Sequence, residues 1–209
     1  MLIITIKQGK EKSLLAADPW IYASAIERVD GKPQEKMKPG STALVQSSST
    51  KFLARAAYNS RSQIRARVWS FDPNEVIDHA MIKRRVKAAL DKRLKQGAAG
   101  ALLRLINAEE DGLPGLLVDS FGGEKGYLIC QFQAGGVDAW KVAIVQALIA
   151  GTGCTNVYER CDPLIRKGEG LAVIEGALSG DEPPDEVIVT DSGGRYAIDL
   201  KTGASSKFR

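Results

Sequence analysis

From Ser62 to Trp69 the sequence alternates with a period of two. Ile64, Ala66 and Val68 fall on one face of an extended chain, and Gln63, Arg65, Arg67 and Trp69 on the other. That period predicts a β-strand with one buried face. The second face carries two guanidinium groups and an indole. Guanidinium groups fork onto phosphate oxygens, and an indole offers a flat surface to a base. The same pattern equally describes an antiparallel strand whose arginines are simply solvated.

The strand has company. Leu2 to Lys7, Ser41 to Gln46 and Phe52 to Tyr58 read as further strands, and Trp20 to Val29 begins as a turn and becomes one. Ser13 to Asp18 reads as a short helical turn stopped by Pro19, and Lys32 to Gly40 as a polar loop. Short strands with frequent turn signals imply a small β-barrel or sandwich of about seventy residues. A helix follows from about Asp78 to Gln96, with Ile82, Val86, Ala89, Leu90 and Leu94 in its apolar stripe and Gly97 as its stop. Beyond it, Ala101–Ala108, Gly115–Asp119, Tyr127–Phe132 and Asn156–Arg160 read as strands. Val137–Ala150 reads as an apolar helix, and Val187–Thr190 with Tyr196–Leu200 as a final hairpin.

Charge divides the chain the same way. Residues 1–97 hold 19 Lys+Arg against 9 Asp+Glu, a net of +10, while residues 98–209 hold 10 against 16, a net of −6. A basic half joined to an acidic half predicts two domains, with polyanion contact in the first. Within it, Lys7, Lys10 and Lys12 cluster, Trp20 and Tyr22 add aromatics, and Arg61, Arg65 and Arg67 add guanidinium groups. Basic residues interleaved with aromatics suit RNA. Trp20 and Trp69 are the candidates for stacking, and a core anchor is the other reading of Trp20.

Other chemistry finds little support. No GxGxxG follows a strand and no phosphate-binding P-loop is present. Three cysteines, Cys130, Cys154 and Cys161, form no CxxC pair, and His79 is the single histidine, so a metal site is not expected. The thiols read as reduced and structural in a cytoplasmic protein, with no segment long and apolar enough to span a membrane. Cys161, between Arg160 and Asp162, is the mildest exception.

Several segments resemble one family. Gly9–Leu15, Asp18–Tyr22, Ala25–Val29, Phe52–Ala56 and Tyr58–Trp69 are similar to the N-terminal PUA domain of bacterial S-adenosylmethionine-dependent large-subunit ribosomal RNA cytosine-5 methyltransferases. Arg104–Asp119, Val157–Asp162, Arg166–Gly170 and Gly180–Pro184 continue the likeness. The resemblance implies an α+β chain: a PUA-like β-barrel at 1–72, a connecting helix at 73–97, and a strand-strand-helix-strand-strand domain at 98–203. After Gly203 the residues 204–209 depart from the family's pattern, so the Rossmann-like methyltransferase domain is expected to be absent through truncation.

The expected function is therefore an RNA-docking portion of such an enzyme, inactive alone. It would carry no catalytic, metal or cofactor residue, S-adenosylmethionine belonging to the full-length family. Lys10, Lys12, Trp20, Arg61, Arg65, Arg67 and Trp69 are the expected RNA contacts. Ribosomal RNA is the expected partner, a separately encoded methyltransferase domain and a second copy of the chain are further partners considered, and a membrane is excluded. Two alternatives stay open: the docking half of a split methyltransferase, and a protein-interaction scaffold. Replacing Arg65 and Arg67 with Ala is expected to weaken RNA binding without unfolding the chain.

Overall fold

The computed structural model describes residues 1–94, 102–191 and 194–207. Three sheets carry the fold. The first has six strands, β1 (Leu2–Ile6), β2 (Trp20–Tyr22), β3 (Ile26–Asp30), β4 (Ser41–Gln46), β5 (Phe52–Tyr58) and β6 (Ile64–Ser70), with short helices α1 (Lys12–Leu15) and α2 (Pro33–Met37) between them. Its strand order is β2-β6-β5-β4-β1-β3, antiparallel except for β1 beside β4. The two edge strands are consecutive in sequence, joined by only Ala23–Ala25. Six strands laid flat span about 24 Å, and that link reaches about 15 Å. The sheet must therefore curl into a half-barrel. Among the described residues no ladder joins β2 to β3, so the expected β-barrel is open between them.

The period of two works as expected inside the curl. Ile4, Val45, Ala54, Ala56, Ala66 and Val68 meet Leu2, Leu14 and Ile21 in one buried cluster. What the pattern does not predict is that the outer face is covered as well. Ala57 and Trp69 turn outward and are 6% and 4% exposed, packed into a second and larger core.

That core belongs to α3 (His79–Leu94) and the second sheet, whose strands are β7 (Leu102–Asn107), β8 (Leu116–Phe121), β9 (Tyr127–Phe132), β10 (Val157–Glu159) and β11 (Gly176–Ser179). The order is β11-β10-β9-β8-β7, with β9 and β10 parallel and the rest antiparallel. Helices α4 (Gly135–Ala139) and α5 (Lys141–Thr152) form the crossover between the parallel pair, and α6 (Pro163–Gly168) precedes β11. The single helix expected over Val137–Ala150 is broken at Trp140, which leaves helical geometry at φ −102° and ψ 11°. The α3 stripe is buried as expected at Ile82, Val86, Ala89 and Leu90, while Leu94 is exposed. Gly97, its expected stop, lies outside the described residues. On the far face of the second sheet, Phe121, Ile129 and Tyr158 pack on the third sheet, formed by β12 (Val187–Asp191), β13 (Gly194–Ile198) and β14 (Ser205–Lys207).

Several elements, β11 among them, arise where the sequence suggests turns or nothing. The loop at 32–40 contains α2, begun by Pro33 at a first-turn position whose missing N–H costs nothing. Asp162 caps α6, accepting from the backbone N–H groups of Leu164 and Ile165 at 2.8 and 3.2 Å, with Pro163 next. The expected final hairpin gains β14 and becomes a separate sheet.

The half-barrel and the second sheet's crossover approach at backbone distance. A Cβ on Gly40 would lie 2.1 Å from the Gly135 carbonyl oxygen, and one on Gly136 would lie 2.7 Å from the Ala57 Cβ. Gly40 and Gly9 share nearly the same left-handed φ, +84° and +80°, yet nothing lies within 4 Å of a Cβ on Gly9. Comparing the two substitutions separates steric contact from backbone strain. Gly40→Ala should cost at least about 2 kcal/mol more than Gly9→Ala in chemical denaturation. Equal costs would mean that the close approach contributes nothing.

Candidate nucleic-acid interface

Strands β2 and β6 are paired antiparallel, with Trp20 opposite Arg67 and Ile21 opposite Ala66. Ile21 and Ala66 face the half-barrel core, so Trp20, Arg67, Arg65 and Tyr22 emerge on the outside. Trp20 is 38% and Tyr22 46% exposed. This places Trp20, Arg65 and Arg67 on one surface, as the alternation predicts.

Arg67 is already engaged. Its Nη1 donates to Glu109 Oε1 at 3.0 Å and its Nη2 to Glu169 Oε1 at 3.3 Å. Trp20 Nε1 donates to the same Glu109 oxygen at 2.8 Å, and the guanidinium stands 5.7 Å from the Trp20 ring centroid. Glu169 also accepts from Ser62 Oγ at 2.6 Å and from Asn59 Nδ2 at 3.1 Å, while Asn59 Nδ2 donates to the Glu169 carbonyl at 2.8 Å. The acids come from the second half of the chain and the donors from the first. One arginine therefore ties the two together, beside a cavity of about 10 Å³, room for a single water.

The other expected contacts lie differently. Arg61 is exposed, its stem laid against Gly170 so that a Cβ there would sit 2.3 Å from the Arg61 Cδ. Arg65 Nη1 donates to the Ser60 carbonyl. Lys10 and Lys12 belong to the turn entering α1 and to its first residue, remote in sequence from both arginines. The structure does not gather all the cations at one point. Trp69 is a correction: buried at 4% with Ala57 and Gly136 against it, its ring has no face to offer a base. Arg67 is a second. An arginine held by two carboxylates from across the chain is engaged within the fold, so its removal is expected to cost stability.

Sequence reasoning missed Glu109, Glu169, Asn59 and Ser62. The Glu109–Asp111 run reads as a turn cluster, and nothing local marks Glu169, about 100 residues or more from its partners.

A further charged cluster sits at the carboxyl ends of the parallel pair β9 and β10, where open α/β sheets place ligands. Glu159, 1% exposed, accepts from Lys141 Nζ at 2.9 and 2.8 Å. Arg166, 2% exposed, donates to the Phe132 carbonyl at 2.8 Å and to Asp138 at 2.7 Å. Each charge has its opposite, which is what the burial of Glu159 and Arg166 demands.

The cysteines are poor nucleophiles. Burial pushes the Cys130, Cys154 and Cys161 thiols up, with the Glu159 charge adding to the effect at Cys130 and the Glu175 hydrogen bond at Cys161. Thiolate is thereby disfavoured at neutral pH at all three. No cluster of metal ligands occurs among the described residues. No helix of the described chain is long and apolar enough to cross a membrane.

Comparison with known proteins places this geometry. Residues 4–71 match the family model of a PUA-like domain. Over 98% of its length the chain is 37% identical to ribosomal RNA large subunit methyltransferase I of Aliivibrio fischeri (strain ATCC 700601 / ES114), covering 50% of that protein. It is 40% identical to the methyltransferase of the same name from Pseudoalteromonas translucida (strain TAC 125), again over 98% of this chain and 50% of the other. The chain spans about half the length of the curated relatives it matches. A structure described as a SAM-dependent methyltransferase from Streptococcus mutans superposes on 100% of this chain and 51% of its own, at TM-score 0.78 and 16% identity. Another, described as a methyltransferase complexed with SAH, covers 98% and 49%, at TM-score 0.76 and 16% identity. At that identity the likeness concerns the fold.

These matches correct two expectations. A β-barrel followed by a strand-strand-helix-strand-strand domain, with the methyltransferase fold absent, is overturned. The solved methyltransferases follow the whole described architecture, including the mixed second sheet with its parallel pair. A lone docking portion is overturned too, because the relatives matched along 98% of the chain are methyltransferases. What stands is a PUA-like domain in a chain homologous to large-subunit ribosomal RNA methyltransferases.

S-adenosylmethionine, the donor those names imply, does not fit the described crossover. In nucleotide-binding α/β folds glycines at the first helix turn leave the backbone open to the cofactor. Here Gly135 and Gly136 are closed off by Pro39, Gly40, Ala57 and Trp69.

Truncating Arg67 leaves Glu109 and Glu169 facing each other without their shared cation. Arg67→Ala should cost about 2–4 kcal/mol, read as a fall in thermal midpoint, whereas Arg65→Ala should cost under about 1 kcal/mol. Equal, small losses would show that the Arg67 pairs do not brace the fold. Glu110 supplies a pH test. Hydrogen bonds from Lys92 and Asn107, with the Lys92 and Arg93 charges, lower its carboxyl to about 2. A depressed acid adds stability above its unfolded value near 4.5 and loses it as pH falls toward 2. Glu110→Gln should therefore flatten the acid limb of the stability curve below about pH 4.5 and leave stability near pH 2 unchanged. An unaltered acid limb would overturn this.

Proposed function

We propose that this chain serves the methylation of large-subunit ribosomal RNA, with S-adenosylmethionine as methyl donor. The observation that carries the reading is the 37–40% identity with named ribosomal RNA methyltransferases along 98% of the chain. The PUA-like match over residues 4–71 supports placing RNA contact in that part.

Within this reading Lys10, Lys12, Arg61 and Arg65 engage phosphates, and Trp20, with Tyr22 beside it, offers an exposed ring for a base. Arg67 holds Trp20 in place from behind, through Glu109, rather than gripping RNA. The division at 1–72, 73–97 and 98–203 belongs to the same reading. Because the three thiols are disfavoured as thiolates and the glycines of the crossover are closed, none of these residues is named as nucleophile or donor ligand.

Titration of a labelled large-subunit ribosomal RNA fragment by fluorescence anisotropy tests the proposal. Binding should weaken steeply as salt rises, and the triple variant Lys10→Ala, Lys12→Ala, Arg61→Ala should lose about tenfold in affinity and a salt slope of about two to three, with its thermal midpoint unchanged. All three side chains lie at the surface, outside both cores, so the fold survives their loss. Absence of binding at low salt would remove the proposal.

A further inference from the structure

The second and third sheets leave between them an open cleft of about 620 Å³. Leu102, 46% exposed, and the half-buried Ile198 give it an apolar lining over the buried Phe121, and Asp119 lines it as well. Two arginines edge it. Arg104 is bound to Asp119 through two hydrogen bonds, from Nε and from Nη2, the second at 3.1 Å. Arg160 has no carboxylate within ion-pair distance among the described residues, and it is not solvated at random. Its backbone N–H donates to the Cys130 carbonyl at 3.0 Å, extending the β9–β10 ladder. Its guanidinium rests on Gly203, where a Cβ would lie 2.6 Å from Nη1.

Gly203 is itself held there. Its N–H donates to the Asp199 carbonyl at 2.8 Å, and the Asp199 side chain accepts from the Lys201 and Thr202 N–H groups at 2.8 and 3.1 Å and from Thr202 Oγ1 at 2.7 Å. The turn fixes φ at +78°, open only to a residue without a Cβ at this approach. A tight, internally bonded turn thus seats a charged head group that no carboxylate of the described residues pairs with. A guanidinium already confined by its surroundings loses less freedom on binding an anion than a free one.

We infer that this cleft takes one nucleotide of single-stranded RNA, its phosphodiester on Arg160 and its unstacked base against Leu102 and Ile198. Volume, an apolar lining and a cationic edge suit that ligand, since unpaired bases bind through apolar and stacking contact while guanidinium groups meet the backbone. The inference rests on the proposed ribosomal RNA function and adds a second point of contact in the acidic half of the chain.

The test is anisotropy titration of a labelled single-stranded RNA oligonucleotide across a salt series, with wild type, Arg160→Ala, Arg160→Lys and Ser205→Asp. Ser205 lines the cleft and is exposed, so the aspartate adds repulsion without disturbing the core. Arg160→Ala should lose about three- to tenfold in affinity and about one in salt slope, Arg160→Lys should recover part of it, and Ser205→Asp should weaken binding similarly. If Arg160→Ala and Ser205→Asp both bind as wild type while the Lys10/Lys12/Arg61 variant is impaired, the cleft assignment is wrong and the proposed function stands. If wild type itself shows no affinity at low salt, the proposed function fails first.

Discussion

Everything in this chain turns on how closely the half-barrel and the second sheet come together. Gly40 and Gly135 let two backbones approach where a single Cβ would collide, and Trp69 and Ala57 then fill the space beside them. Only after that approach do Glu109 and Glu169 come within reach of Arg67. The order matters energetically. Buried apolar contact sets the distance, and the ion pairs, formed in a partly dehydrated seam, set the register. A buried carboxylate such as Glu169 is tolerable because Ser62, Asn59 and Arg67 all donate to it.

The lopsided charge takes on a different meaning once those pairs are in place. A basic excess in residues 1–97 and an acidic excess beyond them would ordinarily mark a polyanion partner. Part of that asymmetry is satisfied inside the molecule. Arg67 meets Glu109 and Glu169, and from α3 Lys92 meets Glu110 at 2.7 Å and Arg93 meets Asp111 at 2.8 Å. The halves are complementary to each other before they are complementary to anything else. What remains for an external anion is the set of cations without such partners, and that set differs from the one that composition suggests.

Legibility in the sequence followed the range of the interactions. Ala66 and Val68 facing inward, the α3 stripe and the strands of the first sheet all rest on local periodicity, and they fall where the residues predict. Trp69 shares the polar face of β6 in any two-residue pattern. Its burial depends on Gly136, which lies 67 residues further on in the chain. No local rule sees that. The short helices α2 and α6 were legible in principle, since Lys32-Pro33 and Asp162-Pro163 carry start signals, but helices of five or six residues lack the periodicity that makes such signals decisive. In the acidic half the strands β7 to β10 and the helix before β10 fall where the residues predict, while the parallel pairing of β10 with β9 and the edge strand β11 are set by contacts no local pattern shows.

The consequence for RNA contact follows from charge counting around one residue. Arg67 stands between two carboxylates, so its surroundings carry net negative charge and repel a phosphate rather than attract it. Arg61 and Arg65, by contrast, are bonded to backbone carbonyls, which orient a guanidinium without neutralising it. The same distinction separates Arg104, matched by Asp119, from Arg160, which is seated on a glycine turn. Arg67 and Arg104, paired with acids, hold the architecture, whereas Arg61, Arg65 and Arg160 have no carboxylate within ion-pair distance among the described residues. A sequence cannot separate the two kinds, because the separation is made by residues up to 109 positions away, as with Arg61 and Gly170.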